Sequence, residues 1–284
     1  MAACGEFHMA AVTRGPGAEA MAVIGFASVR SCGVTTLTAG VAMTWPEGRP
    51  RLLVEADPAG GTLGALGGLA PEPGLVSLAA AARRHGEPSL AFDHVQMLPG
   101  GVSVVCGPPS ASRARSALSM LSGLLARLGE LDVEVHLDCG RLDQQTGNLE
   151  LFEGCDLAVL ACRPHLSDLS ALAAFVDESF EVAAARPVLV LVGDGPYPAK
   201  EITDALGLDV AGQLPWDPDA AGAIGTVPVS SRQLTRTPLV RALRSLTGEL
   251  ARQLEDTRAG RDRPTAAPTT ASTDAGELVA GVHQ

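Results

Sequence analysis

Short apolar runs alternate with longer amphipathic segments along most of the chain. The runs are bounded by Gly, Pro or polar residues, a pattern typical of strands buried on both faces. They predict strands over 22–27, 52–55, 102–106, 133–137, 157–162, 188–192 and 210–214. The intervening segments predict helices over 35–44, 75–84, 110–128, 167–184, 199–206 and 239–254. This alternation predicts a doubly wound α/β fold, with a mostly parallel sheet of about seven strands and helices on both faces.

The two ends of the chain lack this pattern. Residues 1–20 are rich in Gly and Ala and have no apolar periodicity, and the segment 257–284 has no large apolar residue before Leu278. Such segments cannot offset their ordering entropy by burying apolar surface. We therefore predict one domain over 21–256, between a disordered leader at 1–20 and a disordered tail at 257–284.

Charge and composition exclude several kinds of function. The net charge of −11 and the sequence pI of about 5.0 argue against a broad DNA-binding surface, which needs clustered Lys and Arg. No apolar run approaches the roughly 20 residues of a membrane helix, and the N-terminus lacks the layout of a signal peptide. We expect a soluble, cytoplasmic protein whose last predicted helix packs on the sheet, with membrane contact at most peripheral.

The cysteines and histidines give no sign of a metal site. The six cysteines contain no C-x-x-C pair and no histidine at zinc-ligand spacing, and most lie in or beside apolar runs, as in a reduced protein. Cys32 and Cys139 follow predicted strands at the same rim, which raises the hypothesis of a redox-controlled disulfide or a ligand site. His136 lies within a predicted strand, where we expect a satisfied structural role.

The first predicted strand runs into a loop that suits a phosphate group. Residues 28–37 read Ser-Val-Arg-Ser-Cys-Gly-Val-Thr-Thr-Leu and lead directly into a helix. A strand, a tight loop with glycine, Thr-Thr and a helix form the layout in which backbone N–H groups and a helix N-terminus hold an anion. An ordinary turn capped by Thr35 fits the same residues.

Two further strands each deliver a carboxylate at their carboxyl ends. Asp57 follows the second strand and Asp138 ends the fourth. In a P-loop sheet, one such carboxylate organises the attacking water or an adjacent subunit, and the other holds Mg²⁺ through its waters. Each aspartate by itself also suits a turn, before Pro58 or Gly140, but the three loops in this order favour a nucleotide site.

Together these loops resemble the ParA/MinD family, the deviant-Walker P-loop ATPases of chromosome partitioning and division-site placement, over roughly 21–254. The family loop Lys-Gly-Gly-Val-Gly-Lys-Thr-Thr falls on 29–36, its Asp-rich loop on 55–58, its Walker B strand before Asp138, and its late Gly-x-hydrophobic-Pro-x-Asp segment on 212–217. The resemblance implies nucleotide contacts at Arg30, Ser31, Cys32, Gly33, Val34, Thr35, Thr36, Pro215 and Asp217. It implies Mg²⁺ at Thr35 and Asp138 and, in an active enzyme, catalytic roles for Asp57 and Asp138.

This sequence departs from the family at both lysines of the loop. Val34 occupies the phosphate-binding position and Val29 the signature position, and the sole lysine, Lys200, belongs to another loop. Arg30 and Ser31 replace two glycines. A charge-assisted contact of this kind contributes about 1.5–3 kcal/mol, so its loss weakens ATP binding roughly tenfold to more than a hundredfold. Arg30 is the candidate substitute cation, and Thr35 retains the hydroxyl for Mg²⁺.

The sequence therefore predicts a degenerate ParA/MinD-like protein that positions or scaffolds other proteins, with weak or absent binding of ATP and Mg²⁺. It resembles the CpaE/TadZ branch, whose atypical ParA-like domains help to localise pilus or secretion machinery. Two alternatives stay open: an active ATPase that uses Arg30, and a protein that binds a different anion in the same loop. The resemblance also implies protein partners and a homodimer, in which Val29 removes the lysine that makes dimerisation depend on nucleotide.

Overall fold

The structure, a computed structural model, describes residues 21–46, 48, 50–84, 86–142, 148–179 and 187–261. Within these ranges one sheet contains eight strands: β1 Val23–Ser28, β2 Arg51–Glu55, β3 Gln96–Met97, β4 Ser103–Val105, β5 Glu134–Arg141, β6 Leu157–Cys162, β7 Val188–Val192 and β8 Val210–Leu214. The α-helices of the same ranges are α1 Val34–Thr44, α2 Leu63–Leu66, α3 Leu75–Ala82, α4 Ala111–Leu125, α5 Asn148–Glu153, α6 Leu166–Ser179, α7 Ala199–Leu206, α8 Pro218–Ala223, α9 Arg232–Thr235 and α10 Pro238–Arg261. Short 3-10 helices span Pro88–His94 and Leu128–Glu130.

The strand order is β3-β4-β2-β5-β1-β6-β7-β8, and β3–β4 is the antiparallel pair of this sheet. The remaining pairs are parallel, which confirms the predicted α/β fold. β1 lies in the middle, between β5 and β6. The sequence did not predict β3, because a segment of two residues is too short to show an alternating pattern. These two residues form a strand through their antiparallel pairing with β4.

The two faces of the sheet have separate cores because successive strand residues point to opposite faces. On one face, Val23 and Ala27 of β1 pack in a cluster with residues of α3, α4, α5 and α6. On the other, Ile24 and Phe26 pack in a cluster with residues of α1 and α10. β1 is therefore buried along its whole length, which fixes the position of the loop that follows it.

The last helix packs on the sheet, as predicted, but is longer than predicted. Leu243 and Leu250 are fully buried in the cluster formed with α1. α10 continues to Arg261, five residues into the segment predicted as a tail. In this last part of α10 the Thr257 hydroxyl donates to the Gln253 carbonyl (2.9 Å), and Arg258 lies 3.7 Å from buried Glu134. The rest of the predicted tail and the predicted leader lie outside the described residues. No helix of the described ranges has the length and apolar character needed to cross a bilayer.

α1 and α10 approach each other closely at Gly40. A Cβ atom at this position would lie 2.7 Å from Leu243 Cδ1. One turn further along α1, the Thr44 and Thr247 hydroxyls are hydrogen-bonded at 2.7 Å. The absence of a side chain at Gly40 therefore allows the two helices to pack against each other over β1.

His136 has a structural position in β5, but its polar atoms are not satisfied. The ring is fully buried, stacks on Phe26 (centroids 6.2 Å apart) and meets the edge of Trp45 (4.9 Å). Neither ring nitrogen has a hydrogen-bond partner among the described residues. Burial, with a contribution from the charge of Arg51, lowers the pKa of His136 to about 3. The expectation of a satisfied histidine was wrong, because aromatic packing rather than hydrogen bonding holds the ring.

Candidate functional site

The carboxyl ends of the central strands bring the predicted site residues to one rim of the sheet. Ser28 at the end of β1 is in register with Arg141 of β5 and Ala161 of β6. Glu55 at the end of β2 is in register with Asp138 of β5. The loop after β1, Asp57 and Asp138 are therefore neighbours, as the parallel sheet predicts.

The loop between β1 and α1 has the backbone of an anion cradle. Gly33 caps α1 in the left-handed region, with φ +93°, and its carbonyl accepts the Leu37 N–H at 3.0 Å. A Cβ at Gly33 would meet nothing within 4 Å, so backbone conformation rather than space requires glycine there. The first N–H groups of α1 have no partner within the helix and point out of its N-terminus.

Both lysine positions of the loop hold valines that pack into the protein. Val34 is 6% exposed and lies in the core formed with α1 and α10. Val29 is partly buried and packs against the core of the opposite face. The two residues flank the loop and anchor it to the two cores. Apolar packing therefore occupies the two positions that the resemblance matches to the family's lysines.

Arginine is the cation that this loop retains. Arg30 and Ser31, which stand at the two lost glycine positions, are both exposed, whereas Cys32 is buried. Arg30 lines a small cleft with Val29 and Arg163, the residue that follows β6. Asp168 lines the same cleft, so Arg30 and Arg163 lie beside the loop together with an acid.

Asp138 is a buried acid whose ionisation is suppressed. Burial raises its pKa to about 7, an effect that the nearby Thr35 hydroxyl and the Gly140 N–H partly offset and the carboxylates of Glu55 and Asp57 reinforce. The Gly140 N–H donates to Oδ1 at 3.0 Å. Oδ2 is buried with no hydrogen-bond partner among the described residues. A cation bound beside Asp138 would stabilise its ionised form.

Asp57 lies directly above the backbone beside Asp138. Its Oδ1 accepts the Ala59 N–H at 2.7 Å, which closes the turn after β2. A Cβ at Gly140 would lie within van der Waals overlap of the Asp57 carboxyl, and Gly140 has φ +63°. Burial raises the pKa of Asp57, and the charge of Arg141 lowers it in part. Glycine at 140 therefore lets the two predicted catalytic carboxyls approach each other.

Glu55 organises the rim, a role that sequence reasoning missed. Its buried carboxylate accepts the N–H groups of Thr62, Leu63 (2.9 Å) and Gly107 (2.9 Å). It thereby ties the loop after β2 to the loop after β4. Burial raises the pKa of Glu55, and these three hydrogen bonds lower it in part. A carboxylate inside an apolar strand was the available signal.

The late segment at the end of β8 reaches the same rim. Asp217 caps α8, where its Oδ1 accepts the Ala220 N–H at 3.0 Å, and Pro215 is half-buried. Trp216 is 59% exposed, and the Arg163 guanidinium carbon lies 4.9 Å from its ring centroid. This cation–π contact links the ends of β6 and β8. Sequence analysis noted both segments but not their contact, which depends on the order of the strands.

The hypothesis of a disulfide between Cys32 and Cys139 is contradicted, since both cysteines are free and buried. Cys32 packs in the core of α1 and α10, and Cys139 in the core of the opposite face. The charged groups that act on Cys32 are Arg163 and Asp168, whereas those that act on Cys139 are Cys155, Asp138 and Asp57. Burial raises the pKa of Cys32 to about 11 and that of Cys139 well above its usual range. Successive side chains of β5 point to opposite faces of the sheet, so Cys139 lies on the face opposite to Cys32 although both residues are near the same rim.

No protein-family model matches the sequence, and no curated protein matches it. Solved structures do match its fold. MinD of Pyrococcus horikoshii, in complex with Mg-ADP, has a TM-score of 0.68 at 18% identity, over 84% of this chain and 98% of its own. A ParA family ATPase of Chlorobium tepidum has a TM-score of 0.65 at 18% identity, over 80% and 98%. A variant of Cyanothece McdA in complex with ATP has a TM-score of 0.58 at 15% identity, over 82% and 97%.

This chain has the ParA/MinD fold. The likeness extends over 80–84% of the chain at 15–18% identity and shows the fold alone. The assignments of individual residues to nucleotide and Mg²⁺ remain predictions.

The rim of this ParA/MinD fold suits Mg²⁺ better than it suits a triphosphate. The Thr35 hydroxyl lies close to Asp138, and the unpartnered Oδ2 of that acid would accept from a metal-bound water. The phosphate side keeps its backbone cradle at Gly33 but has apolar packing at Val29 and Val34 in place of cations. Among the described residues no group of three or more His, Cys, Asp or Glu side chains is placed to hold a metal ion by itself, so the Mg²⁺ ligands Thr35 and Asp138 stay a prediction.

Proposed function

We propose that this chain is a degenerate ParA/MinD-like protein that acts as a positioning or scaffolding module, with weak or absent ATP binding and hydrolysis. The observation that carries the proposal is the packing of Val34 and Val29 into the two cores. A lysine removed from a surface leaves a gap that another cation can fill. Here the gap has become part of the hydrophobic core, so restoring the contact would cost buried apolar packing.

Hydrolysis is affected more strongly than binding. Charge that develops on a transferring phosphoryl group needs a cation in a fixed position. Neither Arg30 nor Arg163 stands at a family lysine position, and Arg163 already contacts Trp216. Bound Mg²⁺ would supply the positive charge that stabilises the ionised Asp138 carboxylate and would bridge to the phosphates of a nucleotide, and Asp57 would orient water. We expect turnover to be absent even where residual affinity persists.

Contacts with other proteins are the second part of the proposal. Leu166, 64% exposed, begins α6 directly after the strand end that carries Arg163, and Trp216 is exposed nearby along the same rim. Large apolar side chains flanked by arginine are typical of interface centres. We propose a cytoplasmic protein with protein partners, and a homodimer that forms without nucleotide because Val29 offers no lysine to it. The likeness to the CpaE/TadZ branch makes assembly of surface machinery the leading process.

The alternative is an active ATPase that uses Arg30. It is favoured by one observation: Arg30 is exposed in the loop itself and shares a cleft with Arg163. An arginine fork in that position suits phosphate oxygens. This alternative predicts micromolar affinity for ATP that disappears in Arg30→Ala.

Calorimetric titration of ATP with Mg²⁺ distinguishes the two. The parent protein should give no binding heat up to millimolar ATP, and Val34→Lys should gain binding by roughly tenfold or more. Val34→Met is the matched control, because it extends the side chain without adding charge. Thermal unfolding of each variant establishes that it is folded.

The parent titration decides the question even if Val34→Lys does not fold. Micromolar binding by the parent protein would overturn the degenerate assignment. Loss of that binding in Arg30→Ala would then establish the ATPase alternative, with a turnover assay as the next measurement.

A further inference from the structure

A cavity of about 690 Å³ lies between α4 and α5. Its floor is formed by buried aliphatic side chains of the sheet and of α4: Val23, Leu118, Leu125 and Leu137. Small exposed side chains of α4, among them Ser119 and Ser122, continue its wall to the surface. The described residues that line it include none of those predicted to bind nucleotide or Mg²⁺, so this cavity is distinct from the rim site.

The cavity exists because the helices on this face do not fill the space over the central strands. α4 has 15 residues and α5 has 6. The positions of α4 that line the cavity recur at helical spacing, and three of them, Ser119, Ser122 and Ala126, are too small to fill it. The volume is within the range of binding pockets in proteins. An aliphatic floor that is open to water favours a segment that covers it.

Both signs of charge line the cavity. Arg115 lies on the α4 wall, and Glu150 and Asp156 lie on the α5 side. No ion pair within the described ranges includes Arg115 or Glu150. Asp156 directly precedes β6 and accepts the Val23 N–H at 3.0 Å, which places it at the amino edge of the sheet. Arg115 lies in the second turn of α4, which begins at the carboxyl edge.

The chain enters the fold at this cavity. Val23 begins β1 and lines the floor, and residues 1–20, which lie outside the described ranges, join the domain just before it. The chain from Val12 to Val23 spans up to about 36 Å, whereas the wall from Arg115 to Gly129 is about 21 Å long. Segment 1–20 therefore reaches every part of the cavity. A tether of this length gives it an effective concentration on the order of millimolar.

The residue types of segment 6–14 match the cavity. Phe7, Met9 and Val12 provide large apolar side chains for the aliphatic floor, and Glu6 and Arg14 stand on either side of them. Taken alone, this part of the chain is predicted to be disordered because it has nothing against which to bury its apolar side chains. The cavity supplies that apolar surface within the same molecule.

We propose that segment 6–14 of this chain binds in the α4–α5 cavity. Its apolar side chains cover the floor, and its two charged ends fit the charges of the walls. Along the chain from Val23, Arg14 comes first and meets Asp156 at the amino edge. Glu6 lies farthest from the tether and meets Arg115. This contact does not depend on whether the rim binds ATP.

The other end of the chain fits the cavity less well. The large apolar side chains of 262–284 are Leu278, Val279 and Val282, and the charges nearest to them, Asp274 and Glu277, are both acidic. Two acids would be repelled by the α5 side of the cavity, which is itself acidic. α10, which leads to this end, packs in the core of the opposite face.

Hydrogen exchange of the full chain, followed by mass spectrometry, measures the contact. The amides of 7–12 should exchange about tenfold more slowly, or slower still, than those of a free peptide of the same sequence. Ser122→Trp should abolish this protection, because an indole ring on the wall would occupy the cavity. Ser116→Trp is the matched control, since Ser116 is exposed on α4 but does not line the cavity, and it should keep the protection.

A charge exchange tests the direction of the segment. Arg115→Glu should speed the exchange of 7–12 about tenfold, and Glu6→Arg added to it should restore most of the protection. Restoration by a second charge reversal requires that the two side chains meet. Arg113→Glu makes the same charge change two positions away, outside the cavity lining, and should leave the protection unchanged.

Disulfide trapping is a second measurement that requires no large substitution. Cys4 lies just before the segment, and the five cysteines of the described ranges are free and buried. Under mild oxidation, Cys4 should crosslink to Ser119→Cys about tenfold faster than to Ser116→Cys. The rate should not depend on protein concentration, because the tether makes the reaction intramolecular.

Four outcomes would overturn the proposal. Amides of 7–12 that exchange in the parent as fast as in the free peptide would exclude the contact. Equal loss of protection in the two tryptophan variants, or equal crosslinking of the two cysteine variants, would place the contact outside the cavity. Crosslinking that rises with protein concentration would replace the intramolecular contact by one with segment 6–14 of a second copy.

Discussion

Asp138→Asn tests the electrostatics of the rim. Burial raises the pKa of Asp138 from 3.8 to about 7, so the folded protein holds a proton that the unfolded chain has released. The free energy of unfolding must therefore fall as pH rises from about 4 to about 7, at about 1.36 kcal/mol per pH unit. Over that window the cost of the ionised carboxyl reaches about 4 kcal/mol. Below the unfolded pKa, both states are protonated and the cost vanishes.

Asparagine cannot ionise, so the variant should lack this dependence on pH. Urea unfolding of both proteins gives the difference in unfolding free energy at each pH. We expect the variant to gain about 3 kcal/mol over the parent between about pH 5 and about pH 8. Other titrating groups, including His136, are common to both proteins, and their contribution cancels in the difference. Asp194→Asn, at an exposed position, is the control for loss of a surface carboxylate.

A difference that stays constant across this pH range would refute the reasoning, because it would mean that Asp138 is ionised in the folded protein throughout. The same measurement with Mg²⁺ extends the test. A metal at the rim binds the ionised form, so it should stabilise the parent at high pH and leave Asp138→Asn unaffected.

Two further predictions concern the core. Gly40→Ala should destabilise the protein by about 1–3 kcal/mol, since its Cβ would lie 2.7 Å from Leu243 Cδ1. The control Gly248→Ala in α10, whose Cβ would meet nothing within 4 Å, should stabilise it by up to about 1 kcal/mol. Equal melting temperatures of the two variants would contradict this prediction. The free energy of unfolding of His136→Leu should rise relative to that of the parent as pH falls from 6.5, by about 3 kcal/mol at about pH 4. The reason is that the folded parent keeps His136 neutral, with a pKa of about 3, whereas the unfolded chain binds a proton there. Thermal unfolding against pH measures it, and a flat difference would exclude the effect.

The sequence by itself determined the alternation of strands and helices, because that pattern depends on which side chains must be buried. Seven predicted strands are present within the described residues, with ends that shift by a few positions. The pattern also placed Asp57, Asp138 and the loop at 29–36 on one rim, since carboxyl ends of parallel strands meet there. That the loop at 29–36 contains no lysine was likewise visible at once, because the sole lysine of the chain is Lys200.

Tertiary structure decided everything that depends on which strands are neighbours and which way a side chain points. The contact of Arg163 with Trp216, the role of Glu55 in joining two loops, and the separation of Cys32 from Cys139 follow from strand order and from the alternation of faces. The sequence alone showed that residues 29 and 34 are valines. Only the structure showed that Val34 lies in one core and that Val29 packs against the other. Periodicity reports which residues are buried, whereas partners are set by the three-dimensional path of the chain.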